Sequence, residues 1–451
     1  MCCRITTTSS SASRLRLVPH TATPSHGERA VLVGLSTPTV RRHDAERSLE
    51  ELAGLADAAG ASVVARVIQD RPGPDKSTYI GGGKAASVGV MAGELDAGVV
   101  IVDGELSPGQ QRRLETAAGC RVIDRTQLIL DIFAKRARTR EGQWQVELAQ
   151  LKYMLPRLVG SSEALSRLGG GIGTRGPGET KLETDRRRVR TRIQAIEHEI
   201  ERVRDRRAQL RDRRHKARVP TVALVGYTNA GKTTLFNRLT HSTAVASDAL
   251  FVTLDPLVRQ ARLPDNRVLL VSDTVGFIDR LPHGLVAAFR ATLEEVAAAD
   301  LVLHVIDASN EDRDRQVAAV LRVLDEVEAG DVPRLDVFNK VDRLSPADRR
   351  HLAAGHPGAW LVSAATGEGV DACLDAVTVR LGLDTEHVVI QYPEGDAVGA
   401  VETARLYQTG RVVRHETTDG QVIVEADVPK RLRGRQPDGD GEAQAIGSNI
   451  G

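Results

Sequence analysis

The residues best equipped for chemistry in this chain lie between positions 226 and 234. Gly226, Tyr227, Thr228, Asn229, Ala230, Gly231, Lys232 and Thr233 set two glycines with four residues between them, then a lysine, then a hydroxyl. Glycines at those places let successive backbone N–H groups turn inward around a phosphate, and a following helix N-terminus adds partial positive charge. The lysine would reach the β- and γ-phosphates, and the Thr233 hydroxyl would hold Mg²⁺. The flanks agree: Val222 to Val225 is an apolar run that reads as a buried strand, and Thr234 leads a helical pattern through Leu239. Lys232 is expected to stand as a solvent-side point charge until phosphate arrives.

Three further groups follow apolar runs in the same way. Asp273, Thr274, Val275 and Gly276 come after Val268 to Val271. A strand-end carboxylate suits a second Mg²⁺ contact through water, and the Gly276 N–H suits the γ-phosphate. Asn339, Lys340, Val341 and Asp342 come after Leu335 to Phe338. Asp342 would accept from both guanine N1–H and N2–H₂, which adenine cannot supply in that geometry. Ser363, Ala364 and Ala365 follow Trp360 to Val362 and would present a backbone N–H to guanine O6. Each group alone could be an ordinary strand-end turn. Four in this order predict a GTP-binding domain, and the chain here resembles the translation-factor-related class of P-loop GTPases.

These motifs need a scaffold, and 451 residues are enough for about three domains with proper cores. The net charge of +1 supplies no global field for nucleic acid, so any basic surface must be local. Aromatic residues make up only 3%, which argues against extensive base stacking. Cys2, Cys3, Cys120 and Cys373 are spaced neither as a metal site nor as a disulfide frame, and read as reduced thiols of a cytoplasmic protein. No apolar stretch approaches membrane-spanning length. Residues 1–28 are rich in Ser, Thr and Arg without an apolar core; they fail as a signal peptide and are expected to form a disordered tail.

Residues 29–134 alternate strands with helices. Candidate strands are Ala30–Gly34, Ser62–Val67, Gly98–Val102 and Arg121–Ile123; helical patterns lie at Ala45–Ala59, Lys84–Ala97 and Pro108–Ala118. That rhythm predicts a parallel α/β domain. Residues 135–218 differ: Trp144, Leu148, Leu151, Leu155 and Leu158, then Val189, Ile193, Ile196, Ile200 and Val203, recur at helical spacing. Two narrow apolar seams predict a long antiparallel helical hairpin, with Pro156 kinking or ending its first helix. Residues 219–383 are expected to form the P-loop GTPase domain, 384–430 a small α/β, ferredoxin-like module, and 431–451 a polar tail. The fold class is therefore α/β throughout, with the hairpin as its all-helical part.

The stretch between the hairpin helices, Leu168 to Glu183, holds too much glycine to form a stable element and is expected to be a loop. It is either an inert linker or a backbone able to follow phosphates closely. Residues 181–218 carry 15 Lys and Arg against 7 Asp and Glu. A basic helix beside such a loop favours RNA contact over a merely solvated face.

The order of these parts resembles the HflX family of ribosome-associated GTPases over residues 30–430. The most specific marks are Gly171 to Glu183 (GIGTRGPGETKLE), Asp124 to Ala134 (DRTQLILDIFA) and Tyr79 to Lys84 (YIGGGK). Two more, Phe251-Val252-Thr253-Leu254-Asp255-Pro256 and Asp273 to Ile278, match the family's switches. The resemblance implies a GTP-dependent factor, expected as a monomer, that binds the large ribosomal subunit and its RNA and splits or rescues stalled ribosomes. It implies that the glycine loop approaches the peptidyl-transferase region, and that Thr253 completes the Mg²⁺ shell. Lys232, Thr253 and Gly276 are thus the expected catalytic set. Thr233, Thr253 and Asp273 are the expected metal ligands, and the segments around them bind GTP or GDP. Asn229 matches a loop asparagine that some related GTPases use to hold K⁺; loop capping alone is the other reading. Tyr79 to Lys84 is either a second phosphate loop, for ATP, or a glycine turn before a helix; the turn is favoured because no lysine–hydroxyl pair follows.

One mechanistic part is missing. Ras-like proteins carry a water-orienting glutamine after Asp-x-x-Gly, and this chain has Phe277 there. The group must come from the ribosome or from backbone near Thr253 and Gly276. Two rival functions remain at this stage: an RNA-binding module merely stabilised by nucleotide, and an ATP-driven RNA-remodelling factor that depends on Lys84.

Overall fold

The computed structural model describes residues 27–160, 177–216, 219–244, 250–251, 253–254, 257–263, 268–279, 294–383, 385–418 and 420–429. Contacts divide them into two compact units. One contains the chain up to Leu210 with residues 245–256 and 275–292; the other contains the remainder.

In the first unit β1 (Glu28–Ser36), α1 (Arg42–Ala59), β2 (Ala61–Asp70), α2 (Gly82–Glu94), β3 (Val99–Val102), α3 (Pro108–Ala118) and β4 (Arg121–Asp124) follow in order. Their parallel sheet runs β2-β1-β3-β4. Near-continuous apolar runs in β1 and β3, each with buried residues on both faces, are what a helix-covered parallel sheet requires. Gly60 ends α1 at φ 88°, a left-handed position natural to glycine. Ser107 and Gln110 close a reciprocal capping box on α3, with Pro108 in its first turn.

The YIGGGK stretch is a turn entering α2. Asp75 and Tyr79 pair as an isolated bridge, Tyr79 sits at φ 66°, and Gly81 is the N-cap. The Gly81 N–H is already donated to Gln69 Oε1 at 2.8 Å.

Helix α4 (Arg125–Arg136) starts directly from β4, capped by the Asp124 carboxylate accepting from the Gln127 N–H at 2.8 Å. Helix α5 (Arg140–Met154) ends before Pro156, as its ring requires. Helix α6 (Pro177–Lys216) is 40 residues long. Leu148 and Leu151 of α5 meet Val189, Ile193, Ile196 and Ile200 of α6 in one apolar seam. Glu141 near the start of α5 pairs with Arg207, whereas Glu147 pairs with Arg192, so the two run antiparallel. The loop expectation needs one correction: Pro177 to Glu183 is helical, with proline at the N-terminal edge where its missing N–H costs nothing. The glycine-rich residues 168–176 lie outside the described residues.

In the second unit β5 (Thr221–Gly226), α7 (Lys232–Thr240), β6 (Leu257–Arg262), β7 (Val268–Asp273), β8 (Leu301–Asp307), α8 (Arg313–Glu326), β9 (Arg334–Asn339), α9 (Pro346–Gly355), β10 (Trp360–Leu361) and α10 (Val370–Arg380) build a six-stranded sheet. Its order is β10-β9-β8-β5-β7-β6, parallel except for β6, an antiparallel edge on β7. The wholly buried β5 lies between β8 and β7, so the loop after it opens at the carboxyl end of the sheet's interior. After it come β11 (Thr385–Pro393), α11 (Ala397–Thr409), β12 (Arg411–Thr418) and β13 (Gln421–Pro429). These strands form a separate antiparallel sheet ordered β11-β13-β12, with Val424 and Ala426 at its core. Among the described residues no helix is long and apolar enough to cross a membrane.

Candidate functional site

The loop leaving β5 takes its shape from three unusual backbone positions. Gly226 lies at φ 154°, Asn229 at 60° and Gly231 at 91°. A Cβ on Gly226 would collide with the Val305 carbonyl, and one on Gly231 with the Asn339 side chain. Both glycines are therefore required by space as well as by torsion. Asn229 is exposed at its left-handed position, which asparagine tolerates better than most residues.

Lys232 corrects the expectation of a solvent-side charge. It is 6% exposed, and its Nζ donates to the carbonyls of Gly226 at 3.0 Å and Tyr227 at 2.8 Å. Burial pushes its ammonium down to about 8, against the opposing pull of Asp273. The lysine spans the loop's own carbonyls and so braces the concave backbone.

Thr233, in the first turn of α7, donates its hydroxyl to Asp273 Oδ2 at 2.8 Å. Asp273 ends β7 and is fully buried. Two hard oxygen donors thus converge beside a phosphate-type loop, the donor set that suits Mg²⁺. Thr274 is fully buried and ties the start of the next segment to β5 through Leu224 O at 2.7 Å.

Asn339, at the end of β9, joins the remaining two motifs to the loop. Its Nδ2 donates to Ala230 O at 2.9 Å, and its Oδ1 accepts from the Ala364 N–H at 2.9 Å. Lys340 sits at φ 65° and its ammonium pairs with Asp307 at 2.7 Å. Val341 is buried, its N–H donated to Val362 O, and Asp342 is exposed. Asp342 Oδ1 accepts from the Ser363 hydroxyl at 2.6 Å. Ser363 and Ala364 are buried while Ala365 is exposed, and Arg238 of α7 donates to the carbonyls of Ala364 and Ala365.

The second unit therefore brings together Gly226 to Thr234, Asp273, Thr274, Asn339 to Asp342 and Ser363 to Ala365. Phe251, Thr253, Leu254, Val275 and Gly276 group with the first unit. Phe251, Leu254, Val275, Gly276 and Phe277 are buried there, and Thr253 is partly buried. Val252 and Asp255 lie outside the described residues. Sequence reasoning missed Asp307, Arg238 and the Ser363 side chain. Asp307 had a usable signal, since like Asp273 it is an acidic residue ending a buried strand; the Arg238 contacts had none.

Residues 46–134 match a family described as GTP-binding GTPase N-terminal, residues 136–214 the GTP-binding GTPase middle region, and residues 221–340 a 50S ribosome-binding GTPase. The chain is 46% identical over 413 residues to the GTPase HflX of Caldanaerobacter subterraneus subsp. tengcongensis, covering 90% of this chain and 92% of that one. It is 44% identical over 418 residues to the GTPase HflX of Escherichia coli K12, covering 91% and 97%. A crystal structure of a GTP-binding protein from Sulfolobus solfataricus in complex with GDP aligns with 79% of this chain and 99% of its own, at 23% identity and a TM-score of 0.41.

Proposed function

The chain belongs to the HflX family and is a GTPase, and we propose that it binds the large ribosomal subunit and uses GTP binding and hydrolysis to split or rescue stalled ribosomes. The observation that carries the nucleotide part is the Asn339 side chain, which ties the phosphate loop to the Ser363–Ala365 turn. One side chain thereby links the segment for base recognition to the segment for phosphate recognition.

In the proposed mechanism the loop amides and the Lys232 ammonium hold the β- and γ-phosphates. The Lys232 ammonium has three N–H donors; two lie on the Gly226 and Tyr227 carbonyls, and the third remains for a phosphate oxygen. Thr233 and Asp273 are the residues that would hold Mg²⁺; the role of Thr253 toward that ion is carried by the family's switch pattern alone. When bound, that ion would neutralise charge developing at the β–γ bridge. Asp342 and the Ala365 amide read guanine, the Ala364 N–H being held by Asn339. Phe277 is buried and has no group with which to orient water. The attacking water is therefore held by backbone near Thr253 and Gly276 or by a group on the ribosome. Asn229 is exposed on the loop, free in space for a K⁺ contact during turnover.

The ribosome part rests on the family and on α6, whose exposed face carries Arg187, Arg190, Arg192 and Arg202. Several of its arginines are paired with acids, including Arg192 with Glu147 and Arg202 with Glu199, so the free basic surface is smaller than the composition suggested. GTP turnover measured with and without large subunits tests the proposal: a substantial rise supports it, and equal rates would count against it.

A further inference from the structure

In the turn after β10, four of the five N–H groups from Ser363 to Gly367 are donated within the protein. Ser363 N–H goes to Glu368 O at 2.9 Å, and Ala364 N–H to Asn339 Oδ1 at 2.9 Å. Thr366 N–H goes to Ser363 Oγ at 3.2 Å, and Gly367 N–H to Ser363 O at 2.7 Å. The fifth, on Ala365, has no acceptor among the described residues. The carbonyls on either side of it are held by one group. Arg238 Nε donates to Ala364 O at 3.3 Å, and its Nη2 donates to Ala365 O at 2.6 Å. Arg238 is exposed on α7, six residues beyond Lys232. The helix that begins at the phosphate loop therefore also reaches the base-site turn.

The Ala364 C=O and the Ala365 N–H belong to one planar peptide. That peptide is trans, so the two groups point in opposite directions. A donor fixed on the carbonyl thus sets where the N–H aims. The donor is also cationic. A charged donor on a carbonyl polarises the amide and makes its N–H a stronger donor in turn. We propose that Arg238 is a specificity-determining positioning residue for guanine, aiming and strengthening the Ala365 N–H that meets O6 of the base. This rests on the assignment of that N–H to guanine O6 made above. Adenine carries an amino group in place of O6, and a fixed N–H facing it would be left without an acceptor. Arginine suits the task because its planar fork reaches two successive carbonyls at once, which the point charge of a lysine does not.

The test uses the full chain with Arg238→Met, which keeps the stem and removes the donors, and Arg238→Lys, which keeps the charge and removes the fork. The probes are GDP, inosine diphosphate and 6-thioguanosine diphosphate. Inosine keeps O6 and lacks the 2-amino group; the thio analogue puts sulfur, a weak acceptor, in place of O6. By titration calorimetry, wild type should bind the thio analogue about tenfold more weakly than GDP. Arg238→Met should bind GDP and inosine diphosphate each about tenfold more weakly than wild type does, with the thio analogue within about twofold of its wild-type affinity. Arg238→Lys should fall between. In Arg238→Met, KM for GTP should rise by about the same tenfold while kcat stays within about twofold, since the O6 contact is made equally in ground and transition states. Equal weakening of GDP and the thio analogue would mean a merely structural role and overturn the proposal. So would a wild-type preference for oxygen that Arg238→Met retains. If wild type itself shows no preference for GDP over the thio analogue, the assignment of Ala365 to O6 has failed, and the role of Arg238 falls with it.

Discussion

The Ser363 hydroxyl donates to Asp342 Oδ1 at 2.6 Å while accepting from the Thr366 N–H at 3.2 Å. Ser363 is fully buried and Asp342 is exposed, so a fixed buried donor aims a solvent-facing carboxylate. The pair joins two motifs that are 21 residues apart in sequence. It explains how a flexible aspartate can read a base: the Ser363 hydroxyl selects its rotamer.

Changing that carboxylate should alter base preference. Asp342→Asn replaces a double acceptor with an amide that mismatches guanine and suits xanthine. GTP affinity should fall by about 1–3 kcal/mol, and xanthosine triphosphate should gain. Ser363→Ala should weaken GTP and GDP equally, by about 1 kcal/mol, without altering base preference. Titration calorimetry giving wild-type GTP binding in Asp342→Asn would refute the base-reading role.

Lys232 predicts a pH dependence of binding. Its ammonium has been pushed down to about 8, so it is charged below that pH and increasingly neutral above it. Phosphate binding demands the charged form, hence binding above pH 8 must take up a proton. GTP affinity should be flat from pH 6.5 to 7.5, then fall by about tenfold per pH unit beyond 8. A flat profile to pH 10 would show that the lysine is not the phosphate's partner.

A second titration concerns stability rather than binding. Asp131, inside α4, is raised to about 7 by burial, with Arg121 and Lys135 opposing. Its folded value lies above its ordinary 3.8, so the native state binds more protons between those limits and stability is lost as pH rises through them. Asp131→Asn should therefore raise the melting temperature at pH 8, by a stabilisation of about 2 kcal/mol, and the gain should shrink toward pH 4. A gain independent of pH would point to packing instead of charge.

Much of this architecture was legible because buried parallel strands are written as unbroken apolar runs. Val222 to Val225, Val268 to Val271 and Leu335 to Phe338 announced β5, β7 and β9 together with the motifs after them. Helix α4 was not singled out as a helix. Arg125, Thr126, Gln127 and Asp131 are all buried, and polar residues at core positions erase the helical period. Edge strands were faint for the opposite reason: β6 and β12 carry Arg, Gln, Glu and Thr on exposed faces. Pro177 to Glu183 read as loop because the preceding glycines outweighed a legitimate proline start. The burial of Lys232 has no sequence signal, since it depends on where the loop's carbonyls turn.

The glycine-rich stretch is best tested by shortening it. Helix α6 begins at Pro177, so deleting residues 169–176 removes the glycine-rich stretch and leaves that helix whole. Basal GTP turnover should stay near wild type, while turnover stimulated by large subunits should drop and its remaining affinity should still fall with salt. Full stimulation of the shortened protein would reduce the stretch to a linker.

Ribosome sedimentation tests the central claim most directly. Whole ribosomes are mixed with the protein and GTP, GDP or a non-hydrolysable analogue, then resolved on sucrose gradients. The predicted result is that the protein travels with the large subunit in the triphosphate states, with whole ribosomes converted to free subunits, and travels free with GDP. Sedimentation that is the same with every nucleotide, or an absence of any ribosome-bound protein, would contradict it.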